Sequence, residues 1–527
     1  MCGISGFFIF KDKKDFNFQK LKEMTDTINH RGPDSRGFWY SKKDGIYLGH
    51  TRLSILDLSE RGGQPMTSSC GRYVISFNGE IYNYRQISNI LKKEFKIQFA
   101  NGTDTIVLLE TISRYGLSKA LKLIEGMFAF VIWDKKEKKL FLVRDRFGEK
   151  PLFYFIDKES VIFGSELKVI KSSKTENLKI SKNASYYYSM LGYVPAPLSI
   201  YENVFKVMPS EIVEISKSNK IIKKNYYSLN LDCKDEGLNY SDYKQKITKS
   251  LEDSVKKMMI ADVEVGCFLS GGVDSSLIAY LMQKNSKKKI KTFTVSFNEK
   301  QYDESSYAKH ISEKIGSNHY ELKVHSNDLF ENIESLVNMF DEPFSDSSFI
   351  PTYLISKLAS SKVKVVLSGD GGDEVFMGYN RYIFANKVLT FKKIFPSFFR
   401  SLISNFLNII PKNIFDKLSV PLQKTMGIQG FSHKIQKLSN ILNFEKNSDF
   451  YLKLNVFDNE ILKKKNLNEK KIFENFDKIF LISKKEIEKV NKKFKDKIFK
   501  IEESVEKISK KFSFSKKNFR ILFVGNL

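Results

Sequence analysis

Cysteine is scarce in this sequence: four in 527 residues, Cys2, Cys70, Cys233 and Cys267. Their spacing matches neither a metal-ligand set nor a disulfide framework, which excludes a small disulfide-stapled scaffold and fits a reducing compartment. Long apolar runs are missing as well. No stretch approaches the ~18 residues needed to cross a bilayer, so no transmembrane span is expected. The short run from Cys2 to Phe10 has no basic residue before it and no small-residue cleavage site ahead of Lys11, Lys13 and Lys14, so it does not read as a secretion signal. The expected location is the cytoplasm.

Acidic residues are in short supply: 61 Asp+Glu stand against 87 Lys+Arg, a net charge of +26. Such a balance raises nucleic-acid binding as a rival reading. The distribution weakens it, because residues 461–527 alone carry 20 basic against 9 acidic side chains and so hold much of the excess. Elsewhere lysine is scattered among Ile, Asn and Phe, a compositional bias with no aromatic-studded face. Hydrophobic residues at 42% exclude wholesale disorder, and the length calls for at least two large domains.

What the sequence does contain, at its second residue, is a nucleophile with a base attached. The chain opens MCGISGFF, and removal of Met1 leaves Cys2 with both a thiol and a free α-amino group. A thiol of pKa ~8.5 and an amine of ~7.7–8.0 are close enough for the neutral amine to take the thiol proton near neutral pH. Strand-like stretches dominate the first two hundred residues: GISGFFIF, GIYLGHTRLSIL, YVISFNGEIYN, MFAFVIWD, KLFLVRDRFG, PLFYFI and VIFGSE, with helical periodicity near 18–29 and 105–124. This predicts a layered αβ domain of mostly antiparallel sheets, with Cys2 at the tip of its first strand. A thiolate attacking a carbonyl needs oxyanion donors, and a free amino-acid substrate needs counter-charges. Asn78 and Gly79 in NGEIYN offer the donors. Arg52 in HTRLSIL offers a bidentate grip on a carboxylate, and Asp104 in NGTDT, with Glu80, offers charge for an ammonium. Singly, each has a plain structural reading too: a hairpin turn, a surface ion pair, a helix cap.

Together with HRGPDSRG at 30–37, HTRLSILDLS at 50–59, GTDT at 102–105 and RDRFGEKPLFY at 144–154, these segments resemble the N-terminal-nucleophile (Ntn) glutaminase domain of class II glutamine amidotransferases over residues 1–205. The resemblance implies an αββα layered Ntn-hydrolase fold in which Cys2 cleaves the side-chain amide of glutamine and releases ammonia. It also implies that Arg52, Leu53, Ser54, Ile55, Leu56, Glu80 and Asp104 hold glutamine, and that Asn78 and Gly79 contact it and form the oxyanion hole.

Beyond a connector at 206–239 the pattern changes to strands alternating with helices, as in a parallel sheet. In VGCFLSGGVDSSLIAYLMQK a buried-strand run ends in SGGVDSS and passes into an apolar-periodic helix. Gly271 and Gly272 permit a tight turn whose N–H groups, with the helix N-terminus, face an anion, and Ser270, Ser275 and Ser276 add hydroxyls. The plain alternative is a simple strand-to-helix turn. A Walker-type Gly-Lys-Ser/Thr is missing, so a phosphate-gripping lysine and β,γ cleavage are not implied. VKVVLSGDGGDEVFMGYNRY repeats the strand-and-glycine device with Asp370, Asp373 and Glu374, which read either as an acidic turn or as carboxylates for Mg²⁺ or proton transfer.

SGGVDSS is similar to the pyrophosphate loop of ATP pyrophosphatases, which cleave ATP between the α and β phosphates and transfer AMP to a carbonyl oxygen. With DEPFSDSSFIPTYLIS at 341–356, the span from 240 to about 385 resembles the synthetase domain of glutamine-hydrolysing asparagine synthases. By that resemblance Leu269, Ser270, Gly271, Gly272, Asp274, Ser275, Ser276, Val295, Ser368 and Gly369 form the ATP site, and Asp274 and Asp373 sit near the pyrophosphate and Mg²⁺. Asp370, the residue placed to deprotonate ammonia, stands where asparagine-forming members often carry glutamate. It is also found in relatives from surface-polysaccharide gene clusters, so the acceptor is aspartate or another carboxylate.

The implied architecture is α/β and multidomain. An αββα Ntn layer domain (1–205) and the connector lead to an α/β PP-loop synthetase domain with a parallel sheet and a helical C-terminal region (240–458), then a lysine-rich tail (459–527). The family's later segments, including a lysine that steadies the acyl-adenylate, are not found in the tail, and FRILFVGNL resembles the opening strand of a nucleotide-sugar glycosyltransferase half-domain. The implied activity is glutamine hydrolysis at Cys2, passage of ammonia through an internal channel, and ATP-driven adenylation of aspartate to give asparagine, AMP and pyrophosphate. The altered tail predicts measurable glutaminase activity with synthetase activity weak or absent. Expected partners are small molecules, with a homodimer allowed and neither nucleic acid nor membrane involved.

Overall fold

The computed structural model describes residues 1–11, 15–99, 102–173, 178–229, 237–298, 303–324, 339–346 and 348–409, together with 439, 441, 442 and 444. They fall into two compact units, one comprising the described residues of Met1–Tyr188 and Tyr193–Asp370, the other Ser189–Gly192 and the described residues between Gly371 and 444.

Two six-stranded antiparallel sheets organise the first two hundred or so residues. The first contains β1 (Gly3–Ile9), β2 (Ser35–Ser41), β3 (Ile46–Arg52), β8 (Phe153–Ile156), β9 (Ser160–Gly164) and β10 (Val204–Lys206), in the order β10-β8-β9-β1-β3-β2. The second contains β4 (Met66–Thr67), β5 (Tyr73–Ile81), β6 (Gly126–Asp134), β7 (Lys139–Arg144), β11 (Glu211–Ser216) and β12 (Ile221–Asn225), in the order β12-β11-β7-β6-β5-β4. β1 is apolar at every position but Ser5 and shows no alternation, which follows from its place between β9 and β3, where both faces are covered and all seven residues are buried. Ile4 and Phe8 point into the core between the sheets, against Val131, Trp133 and Leu142. Phe7 and Ile9 face the opposite way, into a core with Leu21 and Met24 of helix Phe18–Asp26 and Val169 and Ile170 of helix Leu167–Ser173. A third core packs Phe77, Phe128 and Phe130 against Ile87, Leu91, Leu108 and Ile112 of helices Tyr84–Phe95 and Asp104–Tyr115. The layers therefore run helix, sheet, sheet, helix.

Several details depart from the sequence reading. The second sheet extends beyond residue 205 into the stretch read as a connector. There β11 pairs with β7 and β12 with β11, while Val213 and Ile215 fill the inter-sheet core. The polar, lysine-rich β12 hides this, since its side chains are half-buried or exposed. β2 went unread for a similar reason: it is an edge strand with no buried residue and so no alternating pattern. The helical stretch near 105–124 is two helices that meet at Gly116.

A four-stranded parallel sheet follows: β13 (Val265–Phe268), β14 (Lys291–Phe297), β15 (Asn318–Val324) and β16 (Val365–Leu367), in the order β15-β14-β13-β16. The chain steps outward from β13 to β15 and then returns to the far side of β13. The switch point of this sheet lies between β13 and β16, where open αβ sheets place their ligands. In the second unit, helices Asn380–Ile394 and Ser397–Ile409 are described, and Ala385 and Val388 pack with Ile441 and Phe444. Most of the helical region expected at 410–458, the whole tail 459–527 and Cys233 lie outside the described residues. Among the described residues no helix is long and apolar enough to cross a membrane.

Candidate active site

Cys2 lies immediately before β1, and its neighbours come from the ends of β3 and β5 and from the start of a helix. A cavity of about 350 Å³ is lined by Cys2, Arg52, Leu53, Ile55, Leu56, Asn78, Gly79, Glu80 and Asp104, with Gln64, Lys150 and Lys364 also on its wall. The structure thus brings together the cysteine, both oxyanion candidates, both carboxylates and most of the loop after β3. The Cys2 sulfur accepts a hydrogen bond from the Leu53 amide at 3.4 Å, and the Cys2 carbonyl accepts one from Arg31 Nε at 2.9 Å. Burial pushes the thiol above its ordinary pKa, with the Leu53 amide pulling the other way.

Asn78 is 1% exposed, and among the described residues its Nδ2 meets no acceptor. A buried N–H without a partner costs stability in a free protein, and here it borders the same cavity as the Cys2 thiol. Gly79 follows in β5. A side chain there would run into the Met127 carbonyl at 2.2 Å and the Phe128 backbone at 2.6 Å, so only glycine fits.

Glu80 and Asp104 are both buried. Asp104 opens its helix, but the cap is Thr103, whose hydroxyl accepts from the Ile106 amide; Asp104 Oδ2 instead accepts from Ile81 N, at the end of β5, at 2.8 Å. Burial, with the charge of Asp104 beside it, raises the Glu80 carboxyl to about 7, and burial raises Asp104 to about 6. Two carboxyls that resist ionisation when the site is empty suit a ligand that brings a positive charge. The stability Glu80 contributes is fully present below its unfolded pKa near 4.5 and is lost as pH rises through about 7. Glu80→Gln is therefore expected to stabilise the free protein at pH 8, by on the order of 2–3 kcal/mol, with little change at pH 4.5. Denaturant titrations at the two pH values check this, and an equal gain at both would contradict it.

Arg52 is used differently from the carboxylate grip read in the sequence. Its Nη1 donates to the Ser59 carbonyl at 2.7 Å, and its Nη2 to the carbonyls of Leu56, at 3.3 Å, and Asp57. The guanidinium thereby folds loop 53–59 around the cavity. This is also why the LSIL stretch, read as part of a strand, leaves the sheet after Arg52. Ser54 does not line the cavity, and its amide donates to Asp34 Oδ2 at 2.8 Å.

Lys150 was missed by the sequence reading, although it stands in RDRFGEKPLFY. That motif is mostly a scaffold. The Asp145 carboxylate accepts from the amides of Phe128, Phe147, Glu149 and Lys150, and Arg144 donates to the carbonyls of Gly148, Lys150 and Val207. It places the buried Lys150 ammonium 3.4 Å from the Met1 sulfur, and burial lowers the pKa of that ammonium. The Met1 ammonium is itself pushed down to about 6 by burial. His50 in β3 is buried, lowered to about 4 by desolvation, and bonded through Nε2 to the Phe77 carbonyl at 3.0 Å, so it is neutral.

The second cluster lies at the C-terminal ends of β13 and β16. Leu269, whose amide bonds to the Phe293 carbonyl of β14, leads into Ser270, Gly271 and Gly272 and then helix Val273–Lys284. Gly271 has φ +81°, and a side chain there would strike Tyr307 and the Ala308 amide at 2.6–2.7 Å. The Ser270 and Ser275 hydroxyls lie 3.0 Å apart, and the Ser270 amide donates to Ser275, so both close the loop. The Ser276 hydroxyl has no partner among the described residues. Gly369 packs so closely on Asp274 and Ser275 that an added Cβ would meet them at 2.8–2.9 Å, which joins the loop after β16 to the loop after β13. The Ser368 hydroxyl lies 2.8 Å from Asp370 Oδ2, and Val295 is in the adjacent β14. Asp373 is in the first turn of the short helix Gly372–Phe376 in the second unit. Among the described residues no three acidic, His or Cys side chains are grouped to hold a metal ion.

Fold and site define a class of protein: an αββα layer domain of the Ntn amidotransferase kind, with a cysteine at the start of its first strand, continued by a parallel-sheet domain with a glycine-serine loop at its switch point. Residues 1–227 match the glutamine amidotransferase domain family and residues 246–498 the asparagine synthase family. A protein of Methanocaldococcus jannaschii provisionally named asparagine synthetase (glutamine-hydrolyzing) 2 is 39% identical over 422 residues, 76% of this chain and 79% of that one. Asparagine synthetase (glutamine-hydrolyzing) 1 of Bacillus subtilis is 34% identical over 430 residues, 80% of this chain and 66% of that one. Amidase chry2 of Gibberella zeae is 28% identical over 412 residues, 72% of this chain and 60% of that one. The chain belongs to the family of glutamine-hydrolysing asparagine synthetases.

Proposed function

We propose that the chain hydrolyses glutamine at Cys2 and uses ATP to attach the released nitrogen to a carboxylate, aspartate being the acceptor that the named synthetases favour. The observation that carries the reading is the meeting, in one cavity, of the Cys2 thiol, the Asn78 Nδ2–H that meets no acceptor among the described residues, and the Glu80–Asp104 carboxyls. With Met1 removed, the neutral α-amine of Cys2 takes the thiol proton and the thiolate attacks the glutamine Cδ. Asn78 Nδ2–H and the Gly79 N–H receive the oxyanion, and Glu80 and Asp104 receive the α-ammonium. As the tetrahedral adduct collapses, the C–N bond breaks and the leaving nitrogen takes the proton held by the amine, departing as ammonia. Water then cleaves the γ-glutamyl thioester, returning glutamate and the thiol.

In the parallel-sheet domain, the loop of Ser270–Gly272 and Ser276 is the cradle proposed for ATP, with Leu269, Val295, Ser368 and Gly369 around the nucleotide. Asp274 and Asp373 are hard oxygen donors of the kind Mg²⁺ shares with phosphates, and the ion when bound would neutralise charge on the departing pyrophosphate. Asp370 is the proposed acceptor of a proton from ammonia. Gly271→Ala places a side chain against Tyr307 in a left-handed backbone. It is expected to weaken ATP use at least about tenfold, through ~1–2 kcal/mol of strain, while glutamine hydrolysis is unchanged. Initial rates over an ATP series and a glutamate-release assay check the two halves.

A second reading, amidation of a different carboxylate, is favoured by Asp370 in place of the commoner glutamate and by a relative named as an amidase. Incubation with glutamine, aspartate and ATP tests the main reading. Asparagine, AMP and pyrophosphate are expected. Pyrophosphate exchange into ATP driven by another acid and not by aspartate would move the assignment to the second reading.

A further inference from the structure

The glutamine pocket borrows part of its wall from the parallel-sheet domain. Loop 53–59 is folded from one side by Arg52, which takes the carbonyls of Leu56, Asp57 and Ser59. Three other backbone groups of the loop are satisfied elsewhere. The Ser54 amide donates to Asp34 Oδ2 at 2.8 Å, and the same oxygen accepts from Lys364 Nζ at 2.7 Å. The Ile55 carbonyl accepts from the Asp262 amide at 3.0 Å, and the Asp57 amide donates back to Asp262 Oδ2 at 2.8 Å. Asp262 stands three residues before β13, and Lys364 immediately before β16.

These two strands are neighbours, with Val265 opposite Val365, so both handholds occupy the same end of the sheet. Lys364, Val365 and Val366 also line the Cys2 cavity. Neither contact was legible in the sequence, since Asp262 and Lys364 lie 205 and 330 residues from their partners. Burial opposes ionisation of Asp34, yet Lys364 and the Ser54 amide hold its carboxyl below the usual range, so the bridge is charged at neutral pH.

We infer that Asp262 and Lys364 are positioning residues for glutamine, holding loop 53–57 in its binding shape from the parallel-sheet domain. The inference rests on the reading of the Cys2 cavity as the glutamine site. Both side chains are exposed, so replacing them leaves the cores intact. Asp262→Ala removes the acceptor for the Asp57 amide but keeps the Asp262 N–H; Lys364→Met leaves Asp34 without its cation. Hydrogen bonds to charged groups are each worth about tenfold in an equilibrium.

In the full chain, Asp262→Ala is expected to raise the glutamine KM for glutamate release about tenfold. Lys364→Met, at an exposed pair, is expected to raise it about threefold. In both, kcat should stay within twofold and the rate of Cys2 alkylation by iodoacetamide should not change. Asp262→Asn and Lys364→Arg should restore most of the affinity. Unchanged KM in both variants overturns the inference, as does a fall in alkylation rate matching the loss of activity, which marks general damage to the site. Glutamine binding to Cys2→Ala by calorimetry separates this from failure of the underlying reading. No binding in that parent sinks both, whereas equal binding with and without the two substitutions sinks the inference alone.

Discussion

Replacing Cys2 by alanine is expected to lower glutamine hydrolysis by at least about 10³-fold while amide formation from free ammonia continues at the unmutated rate. The thiol is the one cysteine sulfur on the cavity wall among the described residues, and the Asp145 and Arg144 side chains nearby are committed to backbone groups. The glycine-serine loop after β13 and the loop after β16 draw no contact from Cys2, whose described partners are Leu53 and Arg31. Cys70 is the matched control. It is exposed and hydrogen-bonded to Ser113 at 3.1 Å, so Cys70→Ala should leave both activities intact. Glutamate release and ammonia-driven amide formation, measured on each variant, decide the matter. Equal loss of both in folded Cys2→Ala would remove the division of labour between the two sites.

Asn78→Ala is expected to lower kcat for glutamine about 10²- to 10³-fold, the usual effect of deleting one oxyanion donor, with KM within about threefold. The split follows from geometry: among the described residues the Asn78 Nδ2–H meets no acceptor in the free protein, so it is available to a charge that exists only on the tetrahedral adduct. Pairing of β5 with β6 runs through the backbone and does not need this side chain. Steady-state kinetics of glutamate release give both constants. A rise in KM at constant kcat would instead make Asn78 a ground-state contact and reassign the oxyanion hole.

Cys2, Asn78, Gly79, Glu80 and Asp104 were legible because each belongs to a contiguous segment at the end of a strand or the start of a helix, where local pattern and chemistry coincide. The Ser270–Gly272 loop was legible for the same reason: a buried strand, two glycines and an amphipathic helix follow one another without a break. Arg52 was read with the right location and a different use, since nothing local shows that loop 53–59 lacks other donors for its carbonyls. Lys150, Gln64, Asp262 and Lys364 gave no signal, as their places depend on contacts between distant segments. β2 and β12 were lost because edge strands bury little and so need no alternation.

The central claim is that nitrogen leaves glutamine at Cys2 and is joined to a carboxylate activated by ATP. Glutamine labelled with ¹⁵N in its side-chain amide, incubated with ATP, Mg²⁺, aspartate and an excess of unlabelled ammonium, tests it by NMR of the product amide. The account predicts ¹⁵N in the asparagine amide, formed in step with AMP and pyrophosphate and lost in Cys2→Ala, even where it is a minor part of the nitrogen released. Labelled ammonium with no labelled amide of any carboxylate, or ATP cleaved to ADP, would contradict it.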